Sequence, residues 1–271
     1  MPDLICPVCS GVLKLENHSF LCENRHCFDC AKSGYVNLLP PADPRKRRGD
    51  DRMMVQARTA FLDAGFYDPL SRAVSALAAE NTPDAPQILD VGCGEGKYTA
   101  DLLRSLRECG KAPQIVGVDI SRQALMKAGK RTKEVTFCAA SAARLPLASG
   151  QLDLIVDIFA PFMRDEFLRV LRRGGKLIFV YPLEKHLWEL KKLVYDRPYE
   201  NPLPDRSEAG LRIIREDRLC YPMLLHAQQL QDLFRMTPYY YKTGAEDQKK
   251  TERVQELSVS AEFGIIVYEK E

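Results

Sequence analysis

The stretch Ile88-Leu89-Asp90-Val91-Gly92-Cys93-Gly94-Glu95-Gly96-Lys97-Tyr98-Thr99 limits what this chain can fold into more than any other part of it. An apolar run that reads as a buried strand gives way to three glycines at alternate positions, and these to a helical segment. Glycine at such a turn lets the backbone come close to a ligand, and the free N–H groups of the following helix face the same point. The spacing is not the G-x-G-x-x-G of dinucleotide-binding turns, because Gly96 falls one residue early. Alone, the motif is as well explained by a tight turn. Further apolar runs at 115–118, 135–138, 152–158 and 177–181 alternate with segments of helical period at 97–109, 122–130, 164–172 and 184–195. That order predicts an α/β fold with a parallel sheet and helices on both faces. Two more helices are expected within 53–80, a further one at 227–235 and a closing strand at 263–268.

The second strand ends in Val116-Gly117-Val118-Asp119, which places a carboxylate 29 residues after Asp90. A carboxylate there can accept both hydroxyls of a ribose. Here the residues resemble the class I S-adenosylmethionine-dependent methyltransferases, with 89–96 matching the first-strand motif and Asp119 the ribose-binding acid. The resemblance implies a Rossmann-like domain whose glycine turn faces the methionine part of the cofactor. Where many relatives carry an aspartate for the adenine amino group, this chain has Ser141, so backbone around Ser141 and Ala142 is the expected substitute. An ordinary doubly wound domain with an empty crevice is the competing reading.

Composition matters most at the N-terminus. Of nine cysteines, Cys6, Cys9, Cys22, Cys27 and Cys30 fall in the first 30 residues. The start Met1-Pro2-Asp3-Leu4 lacks the basic-then-apolar character of a secretory signal, so the cluster points to metal and not to disulfides. Cys6-Pro7-Val8-Cys9 is half of a zinc site. The other half is open: Cys22 with His26, or Cys27 with Cys30, each has credible spacing, and the last two also read as small buried residues. A closed four-ligand site is structural, since it leaves no position for water. We expect 1–40 to be a small zinc-binding module, 41–52 a linker, and 53–271 the methyltransferase domain. Arg45-Lys46-Arg47-Arg48 makes the linker basic, although such a run is commonly only a solvated face. With 39 Lys plus Arg against 37 Asp plus Glu, the +2 balance excludes gripping nucleic acid by bulk charge. No apolar run is long enough to cross a bilayer, and a cytoplasmic protein is expected.

The combination meets a narrower family. Phe28-Asp29-Cys30-Ala31-Lys32-Ser33-Gly34-Tyr35-Val36-Asn37-Leu38-Leu39-Pro40 resembles a hallmark of the RlmA family, the 23S rRNA guanine-N1 methyltransferases. Gln56-Ala57-Arg58, Phe61-Leu62-Asp63-Ala64-Gly65, Arg144-Leu145-Pro146, His186-Leu187, Cys220-Tyr221-Pro222-Met223 and Met236-Thr237-Pro238-Tyr239 extend the match along nearly the whole chain. The resemblance implies structural zinc on Cys6, Cys9, Cys22 and His26, and S-adenosylmethionine contacts at Tyr67, the Gly94-Glu95 turn and His186. Asp90, Gly92, Gly96 and Asp119 complete the expected cofactor set. It implies 23S rRNA as the partner and leaves a homodimer open.

Methyl transfer to guanine N1 also needs an acceptor for the N1 proton. The sequence does not name it; Asp157, the nearest carboxylate, is a candidate that reads equally as a strand end. Phe159 and Phe162 flank Ala160-Pro161 after the fourth strand, where an aromatic can stack on an extruded base or simply belong to the core. The aromatic run at 236–242 reads first as packing. Two rival functions remain: a methyltransferase for a small metabolite, and an RNA-binding protein with a vestigial pocket, against which the intact glycines and Asp119 speak. On the sequence alone, stripping zinc should disorder 1–40 and abolish RNA methylation while cofactor binding largely survives.

Overall fold

The computed structural model describes residues 2–40 and 49–271; the basic run Arg45-Lys46-Arg47-Arg48 lies outside them. Three short antiparallel strands, β1 (Lys14–Glu16), β2 (Ser19–Leu21) and β3 (Cys27–Asp29), form the N-terminal ribbon. The next strand, β4 (Tyr35–Asn37), leaves the ribbon for the main sheet. Then come α1 (Arg52–Asp63), α2 (Asp68–Glu80), β5 (Gln87–Val91), α3 (Lys97–Glu108), β6 (Gln114–Asp119), α4 (Arg122–Arg131) and β7 (Thr136–Ala139). The second half runs β8 (Leu152–Ile158), α5 (Arg164–Val170), β9 (Leu171–Pro182), α6 (Trp188–Val194), β10 (Leu211–His226), α7 (Ala227–Met236), α8 (Pro238–Lys242), α9 (Ala245–Glu252) and β11 (Glu256–Lys270).

Local chemistry sets several boundaries. Asp51 caps α1 by accepting the Met54 N–H at 2.9 Å, and Ser121 caps α4 by accepting from Ala124 at 3.3 Å. Pro69 occupies the first turn of α2, where its missing N–H costs nothing. Gly96 starts α3 with φ 83°, and a Cβ there would collide with the Ala128 methyl 2.9 Å away.

The main sheet has eight strands in the order β10-β11-β9-β8-β5-β6-β7-β4, parallel from β9 to β4, with β11 antiparallel to both β9 and β10. Side chains alternate between two cores: on β5, Ile88 faces one and Leu89 and Val91 the other. The faces are covered unequally. Helices α1, α2, α3, α4, α6 and α7 bury one side, with Phe61, Leu70, Leu102, Leu125, Leu190 and Phe234 all at 1% exposure or less. The opposite side has α5 and the ribbon; Leu4 and Phe20, with Val36 and Leu38 at β4, share a core with Leu89, Val116 and Ile155. Helices on both faces, the sequence expectation, thus reduce among the described residues to a single two-turn helix on this side. The reason is that 140–151, between β7 and β8, forms no helix, so the ribbon takes its place.

Ribbon and domain are stitched along this seam. Ile5 donates to the Pro146 carbonyl at 3.0 Å, the Asp3 carbonyl accepts from Ala148 at 3.2 Å, and Leu38 donates to Ala139 at 2.9 Å. Lys133 Nζ donates to the Ser33 carbonyl at 3.0 Å. The long β10 was not expected. Its outward charges hide the alternation, and Pro222 argues against a strand except at an edge, which is where β10 lies.

Candidate active site and metal centre

A crevice of about 370 Å³ opens at the C-terminal ends of β5, β6, β7 and β8, the usual ligand position for such a sheet. Gly92, Gly94, Glu95 and Asp119 of the expected set line it. Gly92 turns with φ 70° and donates to the Val118 carbonyl at 2.7 Å; a Cβ on it would lie 2.5 Å from that of Ala160. The turn can therefore press against the loop after β8 only as glycine. Asp119 accepts the Gly94 N–H at 2.9 Å and the Ser121 N–H at 2.7 Å, one on each carboxylate oxygen. These bonds fix the carboxylate while burial, the leading influence, pushes its pKa up. Ser141, Ala142 and Ala143 line the crevice as well, in keeping with a backbone-lined adenine end.

The wall holds residues to which the sequence assigned no role. Asp50, ion-paired with Arg58, lies at the crevice because the Asp50 carbonyl accepts from Ser121 Oγ at 3.0 Å. No local signal marks a contact between segments so far apart in the chain. Arg58 sat inside a recognised motif without a function, and so did Tyr98. Two buried polar atoms on this wall, Glu95 Oε1 and the Tyr98 hydroxyl, have no protein partner. Glu95 Oε2 is taken by Arg131 at 2.5 Å, and burial raises the Glu95 pKa against that cation. An acceptor and a hydroxyl waiting beside a glycine turn, with a fixed carboxylate opposite, fit a ligand that carries an amino acid and a ribose.

The other expected site residues stand behind this wall. Asp90 is buried, accepts a hydrogen bond from Thr99 Oγ1, and has a pKa raised to about 7, chiefly by desolvation. Gly96 meets α4 and not the crevice. Tyr67 and His186 are buried together, Tyr67 Oη 3.4 Å from His186 Nε2, and both pack on Phe263. His186 Nδ1 accepts the Glu262 N–H at 3.0 Å, and burial lowers the imidazole pKa to about 3, so the ring is neutral. Asp157 is also shut away. Its Oδ1 accepts the Ala160 N–H at 3.0 Å, Oδ2 has no partner, and burial holds the pKa well above the ordinary carboxylate value. It supports the loop after β8 from beneath. The two phenylalanines of that loop separate clearly. Phe162 packs among Phe167, Phe179 and Tyr268, whereas Phe159 lines the crevice with 42% of its surface exposed.

At the ribbon, the ligand atoms of Cys6, Cys9, Cys22 and His26 all lie within 4.8 Å of one another. Cys22 Sγ is 3.3 Å and Cys6 Sγ 3.6 Å from His26 Nδ1, and Cys9 Sγ is 3.6 Å from Cys22 Sγ. Tetrahedral zinc needs separations of about 3.5–3.8 Å between such ligands, so the set fits the ion. Two knuckle turns supply it: Ser10 donates to the Cys6 carbonyl at 2.8 Å and Arg25 to the Cys22 carbonyl at 2.9 Å, with Ser10 and Arg25 both at φ 61°. Cys27 lies exposed beside Asp29, and Cys30 sits in a bridge with Val36. The fold gathers the C-x3-H alternative.

Comparison with known proteins bears on both parts. A family model described as RlmA, N-terminal, a zinc ribbon, matches residues 4–47, and a methyltransferase domain model matches 88–175. A Bacillus subtilis (strain 168) protein named for 23S rRNA (guanine-N1) methylation is 31% identical over 97% of this chain and 95% of its own length. The chain belongs to the RlmA family of 23S rRNA (guanine-N1)-methyltransferases. The 23S rRNA (guanine(748)-N(1))-methyltransferase of Streptomyces fradiae is 36% identical over 69% of this chain and 66% of that protein. A Micromonospora griseorubida relative named for 23S rRNA (guanine-N1) methylation is 35% identical over 70% and 69%. The family is dependent on S-adenosylmethionine, and the ribbon is its zinc site.

Proposed function

We propose that this protein transfers the methyl group of S-adenosylmethionine to N1 of one guanine in a hairpin of 23S rRNA. The observation that carries the reading is the seam itself: a four-ligand ribbon of the RlmA type built onto the sheet that forms the crevice. In this reading Cys6, Cys9, Cys22 and His26 hold zinc, residues 1–40 recognise RNA, 41–52 link the two and bring Asp50 to the crevice, and 53–271 carry the rest of the chemistry. Asp119 takes the ribose, the Gly92–Gly94 turn and Glu95 the methionine part, and Tyr98 the same end through its free hydroxyl. Asp90, Gly96, Tyr67 and His186 support these contacts from behind the wall.

The cofactor supplies an electrophilic methyl on a sulfonium, which is a good leaving group. The protein must then hold N1 in line with that carbon and exclude water, and positioning of this kind supplies a large part of the rate. The N1–C bond forms as the S–C bond breaks, and the N1 proton passes to a base or to water. Among the described residues, the carboxylates on the crevice wall are Asp50, Glu95 and Asp119. Asp119 and Glu95 have binding roles, so Asp50, held by Arg58, is the wall carboxylate left to receive a proton directly or through water.

No helix among the described residues is long and apolar enough to cross a membrane, which suits action on ribosomal RNA in the cytoplasm. Pairing of two copies is part of the same proposal; Ile213, Ile214 and Leu224 on edge strand β10 offer exposed apolar surface, and sedimentation tests it. The chemical test is to incubate the protein and S-adenosylmethionine with large-subunit rRNA from a strain lacking the gene and map reverse-transcriptase stops. N1 methylation blocks Watson–Crick pairing, so one cofactor-dependent stop at a guanine is expected. Cofactor binding with no stop on either rRNA or ribosomal particles would overturn the reading.

A further inference from the structure

The loop after β8 holds a bulky side chain in a backbone conformation that bulky side chains avoid. Phe159 has φ 63°, in the left-handed region that favours glycine. Such strain persists where the surroundings fix it, and it gathers at functional sites. Here the surroundings are specific. The Phe159 N–H donates to the Val180 carbonyl at 3.2 Å, Asp157 holds the next N–H, and Gly92 presses on Ala160. The result is that the Phe159 ring stands at the glycine-turn end of the crevice. Phe162, three residues on, has no comparable freedom because it is locked among core aromatics.

The ring is also buttressed. One side leans on Phe263, centroid to centroid 5.6 Å, and Phe263 is fully buried. Behind it, Tyr67 meets Phe263 edge-on at 5.1 Å and His186 lies 4.8 Å away, both fixed by the hydrogen bonds described above. The remainder of the Phe159 ring is open. Among the described residues one other large apolar residue on the wall is exposed, Ile120, and it follows Asp119 at the ribose end. An exposed aromatic at one end and an exposed aliphatic at the other give the crevice a single flat platform, placed beside the turn that faces the methyl-bearing part of the cofactor.

Resting on the function proposed above, we propose that Phe159 is the surface on which the extruded target guanine stacks for methyl transfer, with Phe263, Tyr67 and His186 as its rigid backing. An enzyme that alkylates a ring nitrogen used in pairing must take the base out of its stack, and an aromatic face replaces the lost stacking whatever the base edge presents. The strained backbone keeps the ring at the mouth instead of letting it fold into the core. Tyr67 and His186 act as positioning residues through Phe263.

The experiment compares F159L, F159Y and F159G with the wild type, once the reverse-transcriptase stop has identified the target guanine. Methylation of the hairpin is measured together with S-adenosylmethionine affinity, and a second hairpin carries 2-aminopurine in place of the target to report stacking by quenching. F159L should lower kcat/KM for RNA by about 10- to 100-fold with cofactor affinity unchanged. Its complex with the 2-aminopurine hairpin should be brighter than that of the wild type, and F159Y should restore both rate and quenching. F159G should stay as inactive as F159L while keeping thermal stability, because glycine accepts the left-handed backbone. Wild-type kcat/KM or wild-type quenching in F159L would overturn the inference. A fall in cofactor affinity matching the loss of rate would overturn it too, assigning the ring to the cofactor. If the wild-type protein yields no stop on rRNA, the proposed function fails first and the stacking role falls with it.

Discussion

One face of the central sheet is covered by six helices that bring their own hydrogen bonds and apolar stripes; the other is covered mainly by a ribbon of three-residue strands. The helices need only the sheet to bury themselves against. The ribbon has too little chain for a core of its own, and it gains one by combining four metal ligands with apolar residues that belong to the sheet's second core. The same physical task, closing one side of a sheet, is thus met once by periodic sequence and once by coordination chemistry. The difference is that the second cover rests on an ion that can be removed.

Removing zinc is therefore the largest perturbation we expect, on the order of 10 kcal/mol of folding energy for the ribbon. Residues 2–40 should lose hydrogen-exchange protection and RNA methylation should stop. The seam at Pro146 and Ala139 leads us to expect weaker S-adenosylmethionine binding as well, against the expectation from sequence alone. Calorimetric titration with and without chelator decides it, and an unchanged Kd would show that the two covers are independent.

Truncating the helix side should cost less and stay local. Phe61→Ala, at a fully buried site in α1, should lower the free energy of unfolding by about 3–5 kcal/mol in urea titrations, with zinc content unchanged. A smaller effect probes the joint between the covers. In α4, Gly129 lies so close to the Ser33 carbonyl of the ribbon that a Cβ would clash. Gly129→Ala should destabilise by about 1–3 kcal/mol, although alanine in a helix normally stabilises. A more stable variant would mean that the ribbon can shift away from α4 without loss.

The last effect is confined to the helix face and concerns pH, where two opposing titrations leave the wild type with only a small net dependence. Asp90 has its pKa raised from 3.8 to about 7, so between those values the folded protein holds a proton that the unfolded chain has released, and stability falls as pH rises. His186 is lowered from 6.5 to about 3, so over that range the unfolded chain holds the extra proton and stability rises with pH. Each slope reaches at most about 1.4 kcal/mol per pH unit, and the two oppose each other. Asp90→Asn removes the first. The variant should gain stability relative to wild type progressively from pH 3.8 toward 6.5, read from urea midpoints at several pH values, and parallel curves would show that Asp90 is not titrating there.

What the sequence disclosed follows the same division. The parallel strands and α1, α2, α3, α4 and α7 were legible because each is a contiguous apolar pattern with caps or glycines at its ends. Gly92, Gly94 and Glu95 were legible as members of one local motif and Asp119 as the end of the next strand; spacing marked Cys6 and Cys9 as ligands, while the choice of Cys22 with His26 over Cys27 with Cys30 came from the family resemblance. Asp50 and Phe159 were harder. Asp50 reaches the crevice through a contact with Ser121, and Phe159 differs from Phe162 only in which way the backbone turns. Neither fact has a residue-type signature. The same holds for β4, whose three residues carry no period, and for the role of Tyr67 and His186 behind Phe263.

The eighth strand also sets an order in time. Val36 of β4 lies beside Cys138 of β7, so the N-terminal edge of the sheet has no neighbour until almost the middle of the chain has been synthesised. At the usual pace of translation that wait is about 5–20 s. During it the four zinc ligands are already out of the ribosome and can bind their ion, which keeps the early segment compact while its exposed Leu4, Phe20 and Leu38 have nothing to cover them. A metal bound at that stage would hold the early segment together, and we expect starving cells of zinc to harm newly made chains well before it harms those already complete.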